Sequence, residues 1–420
     1  MKISIQTLGT RGDILPFLTL ARALMDAGHT VSLLAPRDYS ALIRQFGVEV
    51  ATPPAFSVSD WMQRSRARGT LRGPFRFFRD WPVMIRPHIE DVMERSLEAA
   101  RDADLVLANP IAVPARIAAE HAGLPFILMA LQPVITPTGA LPCAMIARRP
   151  MGPLLNRASY LAVSLALAGL AASLGKARRR LVPAPRPGFA NLGRHLGDPL
   201  TRLTALPAAL GVERPGDYDQ ASHLVDYPAL QSPDSALPDP LTAFLASGQP
   251  PLYLGLGSME VEDGDALLAS WLGRIEAAGQ RAVIAASLAG HPPGPLGPHF
   301  VAGALPHDHL FPHCAAVIHH GGAGTLDTAS RAGCPQIILP QVLDQFWNAH
   351  TLTARSVAGY ARRPRPKTDE IDMLIGYALS DETRRAARSL AASLPDPART
   401  VQRIVGIIEQ TAGNWRAGAR

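Results

Sequence analysis

Residues 315–335 read AAVIHHGGAGTLDTASRAGCP, and this stretch decides the fold. A short apolar segment ends near His319, glycines follow at positions 321, 322 and 324, and the pattern predicts a helix from about Thr325. A strand that enters a glycine-rich turn and then a helix is the repeating unit of parallel α/β sheets. Free backbone N–H groups and the positive end of the helix make such a turn a ready anion site, but the same turn also occurs without a ligand.

The two adjacent histidines of this stretch have different expected roles. Side chains of neighbouring residues in a strand point to opposite faces, so His319 and His320 are poorly placed to share one zinc ion. We expect His320 and the Thr325 hydroxyl to donate to phosphate oxygens. A second histidine-rich stretch, PHDHLFPH at 306–313, lacks a Cys or Glu that would complete a metal site, and it is predicted to be a polar surface loop.

The same alternation of apolar strands and helices occurs in two series along the chain. The strands of the first series are KISIQTL (2–8), TVSLLAP (30–36), DLVLANP (104–110) and PFILMAL (125–131). Those of the second are PLYLGLGSM (251–259), RAVIAAS (281–287), HFVAGAL (299–305), AAVIHH (315–320) and PQIILP (335–340). The two series predict an α/β protein with two doubly wound parallel sheets, whose ligand would lie in a cleft facing the carboxyl ends of both sets of strands.

Length and composition are consistent with this arrangement. The 420 residues favour two domains of roughly 200 residues each, and a Pro-rich stretch places the linker at about 212–245. Hydrophobic residues make up 47% and charged residues 18% of the chain, as in globular proteins. The net charge of +6 comes without a long Lys/Arg tract or a nucleic-acid-binding signature, so we expect an anionic ligand or a membrane-facing patch and no nucleic-acid partner.

Three features indicate a cytoplasmic protein. Cys143, Cys314 and Cys334 are odd in number and widely spaced, which is typical of reduced thiols rather than of a disulfide framework. The N-terminus begins like a strand and lacks the apolar segment of a signal peptide. The longest apolar run, at 160–174, falls short of the roughly 18–20 residues that span a bilayer.

The first loop, LGTRGDILP at 8–16, offers one candidate for acid–base chemistry. Asp13 directly precedes a predicted helix at the carboxyl end of the first strand. It is expected either to cap that helix, which is a common use of Asp, or to act as a general base that faces the cleft. A nicotinamide fingerprint fails here, because Gly9 and Gly12 give G-x-x-G and no acidic residue ends the second strand.

Polar groups also follow strands of the second series. Ser258 could donate a hydrogen bond to a phosphate. Asp344 and Gln345 could hydrogen-bond to vicinal hydroxyls, or Asp344 could only cap the next helix. Three Asp-x-Asp triplets, at 102–104, 217–219 and 263–265, do not follow strands and are interpreted as solvated turns rather than metal–diphosphate sites.

Two stretches combine basic and apolar residues. Residues 61–81 hold six arginines among aromatic residues, and residues 148–180 form an apolar helix bracketed by basic clusters. Such stretches can lie on an anionic membrane surface, line an apolar acceptor pocket, or pack as ordinary helices with snorkelling arginines.

Taken together and in order, these motifs resemble the family 1 glycosyltransferases with the GT-B fold, in particular their bacterial antibiotic and sterol glucosyltransferase branch. The resemblance lies in GTRGDILPFLTLARALMDAGH (9–29), YLGLGSM (253–259) and LPHDHLFPHCAAVIHHGGAGT with RAGCPQIILPQVLDQFWNA (305–325 and 331–349). It implies an acceptor-binding domain at 1–215, a donor-binding domain at 216–397, and a last helix at 398–420 that packs back on the first domain.

The resemblance also implies roles for individual residues. Asp13 matches the base that deprotonates the acceptor hydroxyl. Asp344 and Gln345 match the pair that contacts hydroxyls of the donor sugar, and 304–306 match the nucleotide-base loop. The positions expected to bind the donor are Thr10, Gly12, Ser258, Ala304, Leu305, His320, Gly322, Ala323, Gly324, Thr325, Asp344 and Gln345.

The chain departs from the plant members of this family at three points. Thr328 stands where they have a Glu that holds the ribose, and Ala304 stands where they stack the base on a Trp. The first loop has no catalytic His, which leaves Asp13 as its single candidate base. The donor is therefore expected to be either a UDP-sugar or a dTDP-sugar.

The resulting hypothesis is an inverting, metal-independent transfer of a hexose from a nucleotide-sugar to a hydroxyl of a hydrophobic acceptor, such as a polyketide, a sterol or another lipid. The acceptor is expected to contact residues 55–95 and 130–185, and peripheral contact with the inner face of the membrane is expected through 61–81 and 148–180. A non-catalytic relative that binds a nucleotide-sugar and assists a partner enzyme is the alternative, and a nicotinamide oxidoreductase is disfavoured. The sequence is compatible with a monomer or a homodimer.

Overall fold

The computed structural model describes residues 1–67, 86–182, 201–229, 236–257, 264–363 and 365–418. The chain divides into two compact units, each with its own seven-stranded sheet. The first unit comprises Met1–Leu206, Glu213–Leu230 and Asp396–Arg420, and the second comprises Pro207–Val212 and Gln231–Pro395.

The sheet of the first unit is entirely parallel, with the strand order 3-2-1-4-5-6-7. Its strands are β1 (Lys2–Gln6), β2 (Thr30–Leu34), β3 (Glu49–Val50), β4 (Leu105–Ala108), β5 (Phe126–Ala130), β6 (Thr201–Leu206) and β7 (Ser222–Asp226). The helices that connect them are α1 (Arg11–Asp26), α2 (Ser40–Gln45), α3 (Val58–Ala67), α4 (Ile89–Ala100), α5 (Val113–Ala122), α6 (Pro153–Ser173) and α7 (Gly175–Leu181).

The composition of the first unit explains its layers. Every residue of β4 and β5 is buried, as expected for central strands of a parallel sheet that is covered on both faces. In α1, the apolar residues at helical spacing, among them Ile14, Phe17 and Leu24, are fully buried, which confirms the predicted inner face of this helix.

The sheet of the second unit has the strand order 10-11-9-8-12-13-14, and only its edge strand β10 runs antiparallel. Its strands are β8 (Leu252–Gly255), β9 (Ala282–Ala285), β10 (Gly294–Leu296), β11 (His299–Ala302), β12 (Ala316–His319), β13 (Gln336–Ile338) and β14 (Ala358–Tyr360). Its helices are α8 (Asp239–Ala246), α9 (Gly264–Ala277), α10 (Ala286–Ala289), α11 (His307–Leu310), α12 (Ala323–Arg331), α13 (Gln345–Thr353), α14 (Thr368–Leu379) and α15 (Asp381–Ser393). Short 3-10 turns lie at Arg37–Tyr39, Arg86–His88, Ala208–Leu210 and Phe311–His313.

Both faces of the second sheet are packed. Leu252 and Leu254 of β8 belong to one apolar cluster, which includes Trp271 of α9, whereas Tyr253 between them belongs to the cluster on the opposite face. This alternation along one strand places a layer of helices on each side of the sheet, as the sequence predicts.

The last helix, α16 (Pro397–Gly418), returns to the first unit as expected. The Glu409 carboxylate lies 3.0 Å from His29 Nε2, the hydroxyls of Thr411 and Thr201 are 2.9 Å apart, and Arg416 lies 3.2 Å from Asp104. These contacts hold α16 against the turn after α1, the start of β6 and the residue before β4.

The border between the units differs from the expected position at residue 215. Strand β7 lies within the stretch 212–245 that we interpreted as a linker, and it pairs with β6 along five residues. Helix α8 begins in the same stretch. Residues 207–221 therefore connect two strands of one sheet, and the first unit continues to Leu230.

Two of the predicted features lie partly or wholly outside the described residues. The basic–aromatic stretch 61–81 is described only as far as residue 67, and Ser258 is not among the described residues.

Candidate functional site

The loop after β1 holds Asp13 in a defined position. Helix α1 begins at Arg11, so Asp13 is its third residue, and the side chain reaches back to the start of the helix. Its Oδ2 accepts the Thr10 backbone N–H at 2.9 Å and lies 3.2 Å from the Thr10 hydroxyl. The expectation that Asp13 itself occupies the N-cap is wrong: Thr10 occupies it, and Asp13 closes the capping box from within.

Neighbouring residues support this conformation of the loop. Gly9 has a φ of +125°, and a Cβ atom there would overlap the Asp13 carboxylate, so only glycine fits. Asn109, at the end of β4, donates to the Leu8 carbonyl at 2.6 Å and accepts the Leu8 N–H at 3.3 Å. The loop that precedes Asp13 is therefore held by Asn109 and by the conformation of Gly9.

The surroundings of Asp13 change its acidity. Burial raises the pKa of Asp13 to about 6, and the hydrogen bonds from Thr10 offset part of that increase. A carboxylate with a pKa near 6 is mostly ionised at neutral pH and is also a better proton acceptor than an ordinary aspartate. Both properties suit a general base.

In the second unit, the glycine-rich turn joins β12 to α12. The N-cap is Gly322, and the first helical residues are Ala323, Gly324 and Thr325. These residues are only partly buried, and their backbone N–H groups precede the first acceptors within the helix. The helix begins two residues before the predicted position, so the N–H groups of Ala323 and Gly324 belong to its first turn.

His319 is a structural residue of this turn. It is fully buried, its Nδ1 accepts the Gly321 N–H at 3.1 Å, and its Nε2 lies 2.9 Å from Gln336 Oε1. Since Nδ1 accepts, Nε2 carries the proton and donates to Gln336. Gln336 in turn donates to the Ser330 hydroxyl at 2.9 Å and to the Leu326 carbonyl at 3.3 Å. This buried chain of hydrogen bonds ties the turn to the helix that follows.

His320 lies between two glycines. A Cβ atom at Gly257 would come within 2.7 Å of His320 Cε1, and one at Gly322 would come within 2.5 Å of Nε2. The buried Nδ1 atom has no hydrogen-bond partner in the part of the chain that the structure describes. Burial, followed by the charge of His307, lowers the pKa of His320 to about 4, so the ring is neutral at pH 7. A buried nitrogen without a partner is uncommon and indicates a ligand or water at this position.

The turn also contacts the start of α13. Gly321 has a φ of +91°, and a Cβ there would lie 2.8 Å from Ile338 Cγ2. The Asn348 side-chain amide donates to the Gly321 carbonyl at 2.9 Å and lies 3.4 Å from Asp344 Oδ2. Asn348 is 2% exposed, so it links the turn to Asp344 from inside the protein.

Asp344 and Gln345 stand at the expected place after β13. The Gln345 Oε1 accepts the N–H groups of Gln341 and Val342 at 2.8 and 3.1 Å, which fixes the preceding loop. Asp344 occupies the N-cap position of α13 without a capping hydrogen bond from its side chain. Leu343, directly before Asp344, has a φ of +50°, a strained value for leucine that is often found at functional sites.

The stretch 306–313 is not the polar surface loop that its histidines suggested. It forms α11 and a 3-10 turn, with Leu310 and Phe311 fully buried. His307 stacks on Phe311 with the ring centroids 4.6 Å apart, and its Nε2 lies 3.0 Å from the Tyr253 hydroxyl. The interpretation was wrong because the aromatic partner, Tyr253, lies 54 residues away in sequence.

The structure thus groups the predicted site residues by unit. Thr10, Gly12 and Asp13 belong to the first unit, and Ser258 is outside the described residues. The turn residues, the Asp344–Gln345 pair and the exposed Ala304 with the partly buried Leu305 belong to the second unit. Thr328 donates to the Gly324 carbonyl at 2.9 Å, within its own helix.

Three residues of this site were not predicted from the sequence, namely Asn109, Gln336 and Asn348. Asn348 had a local signal, because it lies four residues after Asp344 in a predicted helix and such pairs meet on one face. Asn109 and Gln336 bond partners that are 101 and 17 residues away, and no local pattern could identify those contacts.

Comparison with known proteins identifies related domains in both units. Residues 3–137 match the glycosyltransferase family 28 N-terminal domain. Residues 295–407 match the C-terminal domain of erythromycin biosynthesis protein CIII-like proteins.

Full-length relatives agree with these matches. Sterol 3-beta-glucosyltransferase of Arabidopsis thaliana is 29% identical over 94% of this chain, which spans 65% of that relative. O-mycaminosyltylonolide 6-deoxyallosyltransferase of Streptomyces fradiae is 28% identical over 96% of this chain and 92% of its own length. The chain thus spans about two thirds of the plant relative but nearly the whole of the bacterial one.

Solved structures share the fold. The glycotransferase of kitacinnamycin superposes with a TM-score of 0.67 at 17% identity, over 98% of this chain and 99% of that one. The glycosyltransferase VinC, solved with dTDP, gives a TM-score of 0.65 at 21% identity, over 99% and 100% of the two chains. Both have the two-sheet architecture described above.

Proposed function

Because the chain belongs to the family 1 glycosyltransferases with the GT-B fold, we propose that it transfers a hexose from a nucleotide-sugar to a hydroxyl of a hydrophobic acceptor. The transfer inverts the anomeric centre and uses no metal ion. Asp13 is the general base, and the turn between β12 and α12 binds the donor diphosphate.

The observation that carries this proposal is the environment of His320. Its buried Nδ1 is without a partner among the described residues, and the Nε2 side of the ring lies against Gly322, the N-cap of a nine-residue helix with free N–H groups in its first turn. Helix N-termini attract anions, and a diphosphate bound there would supply the missing acceptor. The Thr325 hydroxyl, in the first turn of α12, is a further donor.

Asp13 accounts for the acceptor side of the reaction. Its Oδ2 is held by Thr10, and no hydrogen bond from the described residues reaches Oδ1. In the proposed step the acceptor hydroxyl gives its proton to Oδ1, and its oxygen bonds to the anomeric carbon. The bond from that carbon to the diphosphate oxygen breaks, and the diphosphate leaves with the electron pair.

The leaving diphosphate gains negative charge during this step. The N–H groups of the turn, the dipole of α12, Thr325 and His320 stabilise that charge, which is the task that a divalent metal performs in other enzymes. Asp344 and Gln345 hold hydroxyls of the sugar, with Gln345 fixed through Oε1 and therefore oriented by the loop.

The names of the relatives support the classes of donor and acceptor. One is a sterol glucosyltransferase, another acts on a tylonolide derivative, and a structural neighbour binds dTDP. With Thr328 and Ala304 replacing the Glu and Trp of plant members, we propose a UDP- or dTDP-hexose as donor. The hydrophobic acceptor binds residues of the first unit, within 55–95 and 130–185.

The test is a transfer assay with UDP- and dTDP-hexoses and a panel of sterols and polyketide alcohols, on wild-type protein and on Asp13→Asn. Asparagine can still accept the Thr10 N–H, so the loop should keep its shape. We expect the transfer rate to fall by about 10²–10⁴-fold while nucleotide binding is unchanged. Asp396→Asn, in an exposed carboxylate that accepts the Ala398 N–H, is the matched control and should keep the wild-type rate.

Two results would overturn parts of the proposal separately. If Asp13→Asn transfers the sugar at the wild-type rate, Asp13 is not the general base, and its role is limited to the capping box of α1. Failure of every nucleotide-sugar to bind or react would remove the proposed function as a whole.

A further inference from the structure

Helix α6 (Pro153–Ser173) has two apolar faces, and only one of them is packed. Tyr160, Val163 and Leu167 are buried in the core of the first unit. The outer face carries four leucines that are 60–86% exposed, and we name these the leucine stripe: Leu154, Leu155, Leu161 and Leu165. A helix that is apolar on all its faces is normally buried on every side. We therefore expect the leucine stripe to be covered by a binding partner.

The stripe is a continuous surface rather than scattered side chains. Leu154, Leu161 and Leu165 are spaced by seven and four residues, which places them along one side of the helix over about 16 Å. Ile146 and Met151, both more than 40% exposed, precede the helix. Of the nine large apolar side chains that are exposed among the described residues, six lie in 146–165, and a cluster of this kind marks an interaction surface.

The segment of the sequence that contains the stripe is basic. Between Glu120 and Asp198 the chain contains no acidic residue and nine basic ones. These are Arg148, Arg149, Arg157, Lys176, Arg178, Arg179, Arg180, Arg186 and Arg194. Arg148 and Arg149 are exposed immediately before the helix, whereas Arg157 within it pairs with Asp217.

We propose that the leucine stripe docks on an anionic lipid surface, with α6 lying in the plane of the membrane interface. Apolar side chains enter the boundary between headgroups and acyl chains, and the exposed arginines just before the helix pair with lipid phosphates. A second copy of the chain is a poorer occupant, because two cationic segments would face each other. No described helix combines the length and the apolar content needed to cross a bilayer.

This docking does not depend on the proposed transfer reaction and is tested without it. The full chain is sedimented with vesicles of phosphatidylcholine alone and of phosphatidylcholine containing phosphatidylglycerol. We expect the protein to bind the anionic vesicles, to remain in solution with the neutral ones, and to be released by a rise in ionic strength. Protein that stays in solution with anionic vesicles at low salt would overturn the proposal.

Variants then locate the contact. Leu161→Ser combined with Leu165→Ser should weaken binding to anionic vesicles by about tenfold or more, because both side chains lose apolar area in the membrane. Met373→Ser, which changes a side chain of similar exposure in the second unit, is the matched control and should bind as wild type. Equal binding by the leucine variant would place the contact elsewhere and contradict the proposal.

A labelled cysteine provides a direct readout. The three native cysteines are buried, so a single Leu161→Cys substitution can be labelled with an environment-sensitive dye. Its emission should shift to the blue when anionic vesicles are added, whereas dye at Met373→Cys should not respond. A blue shift that appears without lipid and increases with protein concentration would instead assign the stripe to a contact between copies.

Discussion

At the scale of single residues, Asp13 has surroundings that orient its carboxylate and weaken its acidity together. The Thr10 N–H fixes one oxygen, and burial raises the pKa to about 6 from an ordinary value of 3.8. A carboxyl whose pKa is higher in the folded state favours folding below pH 3.8, and this contribution is lost as the pH rises through 6. Above that pH the ionised group therefore lowers the free energy of unfolding.

Asp13→Asn should consequently stabilise the protein at pH 7.5 by on the order of 1 kcal/mol, a value reduced for the partial exposure of the side chain. Below about pH 2.8, where Asp13 is protonated in the folded and in the unfolded chain, this difference should vanish. Thermal unfolding of the two proteins across this pH range measures it, with Asp396→Asn as the control. An equal midpoint at pH 7.5 would show that the carboxylate is not desolvated.

His320 gives a second prediction at this scale. The pKa of His320 is lowered to about 4 in the free protein, and a bound diphosphate should raise it because the anion favours the charged ring. Binding of UDP or dTDP should therefore take up protons between pH 5 and 7, and the affinity should fall as the pH rises. Titration calorimetry in two buffers of different ionisation enthalpy measures the uptake, and the difference from His320→Asn cancels the ionisation of the nucleotide itself. If wild type and His320→Asn take up the same number of protons on binding, His320 does not contact the phosphates.

At the scale of elements, the site of the second unit depends on how β12, α12 and α13 meet. His319 and Gln336 hold the turn from within the sheet, and Asn348 holds it from α13. Each element alone is an ordinary strand or helix. Their junction creates the position of His320 and of Asp344.

Gly322→Ala tests this junction. The φ of −64° at Gly322 is normal for alanine, so the main cost is the overlap of the new Cβ with the His320 ring. We expect the ring to move and the affinity for UDP or dTDP to fall at least about tenfold, with a small change in thermal stability. Gly376→Ala, in a helix with open space around the new atom, is the control and should bind as wild type. Unchanged binding by Gly322→Ala would remove His320 from the donor site.

The element scale also shows what the sequence could predict. The strands and helices follow from local periodicity, so the helix predicted at 264–278 is observed as Gly264–Ala277. The contacts that complete the site join distant residues: Asn109 with Leu8, His319 with Gln336, and His307 with Tyr253. No local pattern encodes these pairs, and the expectation for 306–313 was wrong for this reason. The expected N-cap at α1 was wrong for a local reason, because Thr10 and Asp13 form a capping box within three residues.

At the scale of the whole molecule, the two sheets were predictable because each repeats the same strand–helix alternation. The border between them was expected at 215, but β7 follows that position and pairs with β6, so the first unit continues to Leu230. The resemblance to family 1 glycosyltransferases came from motifs in both halves of the chain, and the domain matches to 3–137 and 295–407 confirm it.

The proposed mechanism makes a prediction about the complete reaction. If helix N–H groups, His320 and Thr325 stabilise the leaving diphosphate, removal of divalent metal should not change the rate. We expect equal transfer rates in the presence of EDTA and of added Mg²⁺ or Mn²⁺. A loss of rate in EDTA that a divalent ion restores would assign that charge stabilisation to a metal.

The central claim is that the turn between β12 and α12 binds a nucleoside diphosphate, and calorimetric titration of the full chain with UDP and with dTDP tests it most directly. The account predicts saturable binding of at least one of them at a single site, and a much weaker affinity in Gly322→Ala. Absence of binding by both nucleotides at millimolar concentration, in a folded protein, would contradict it.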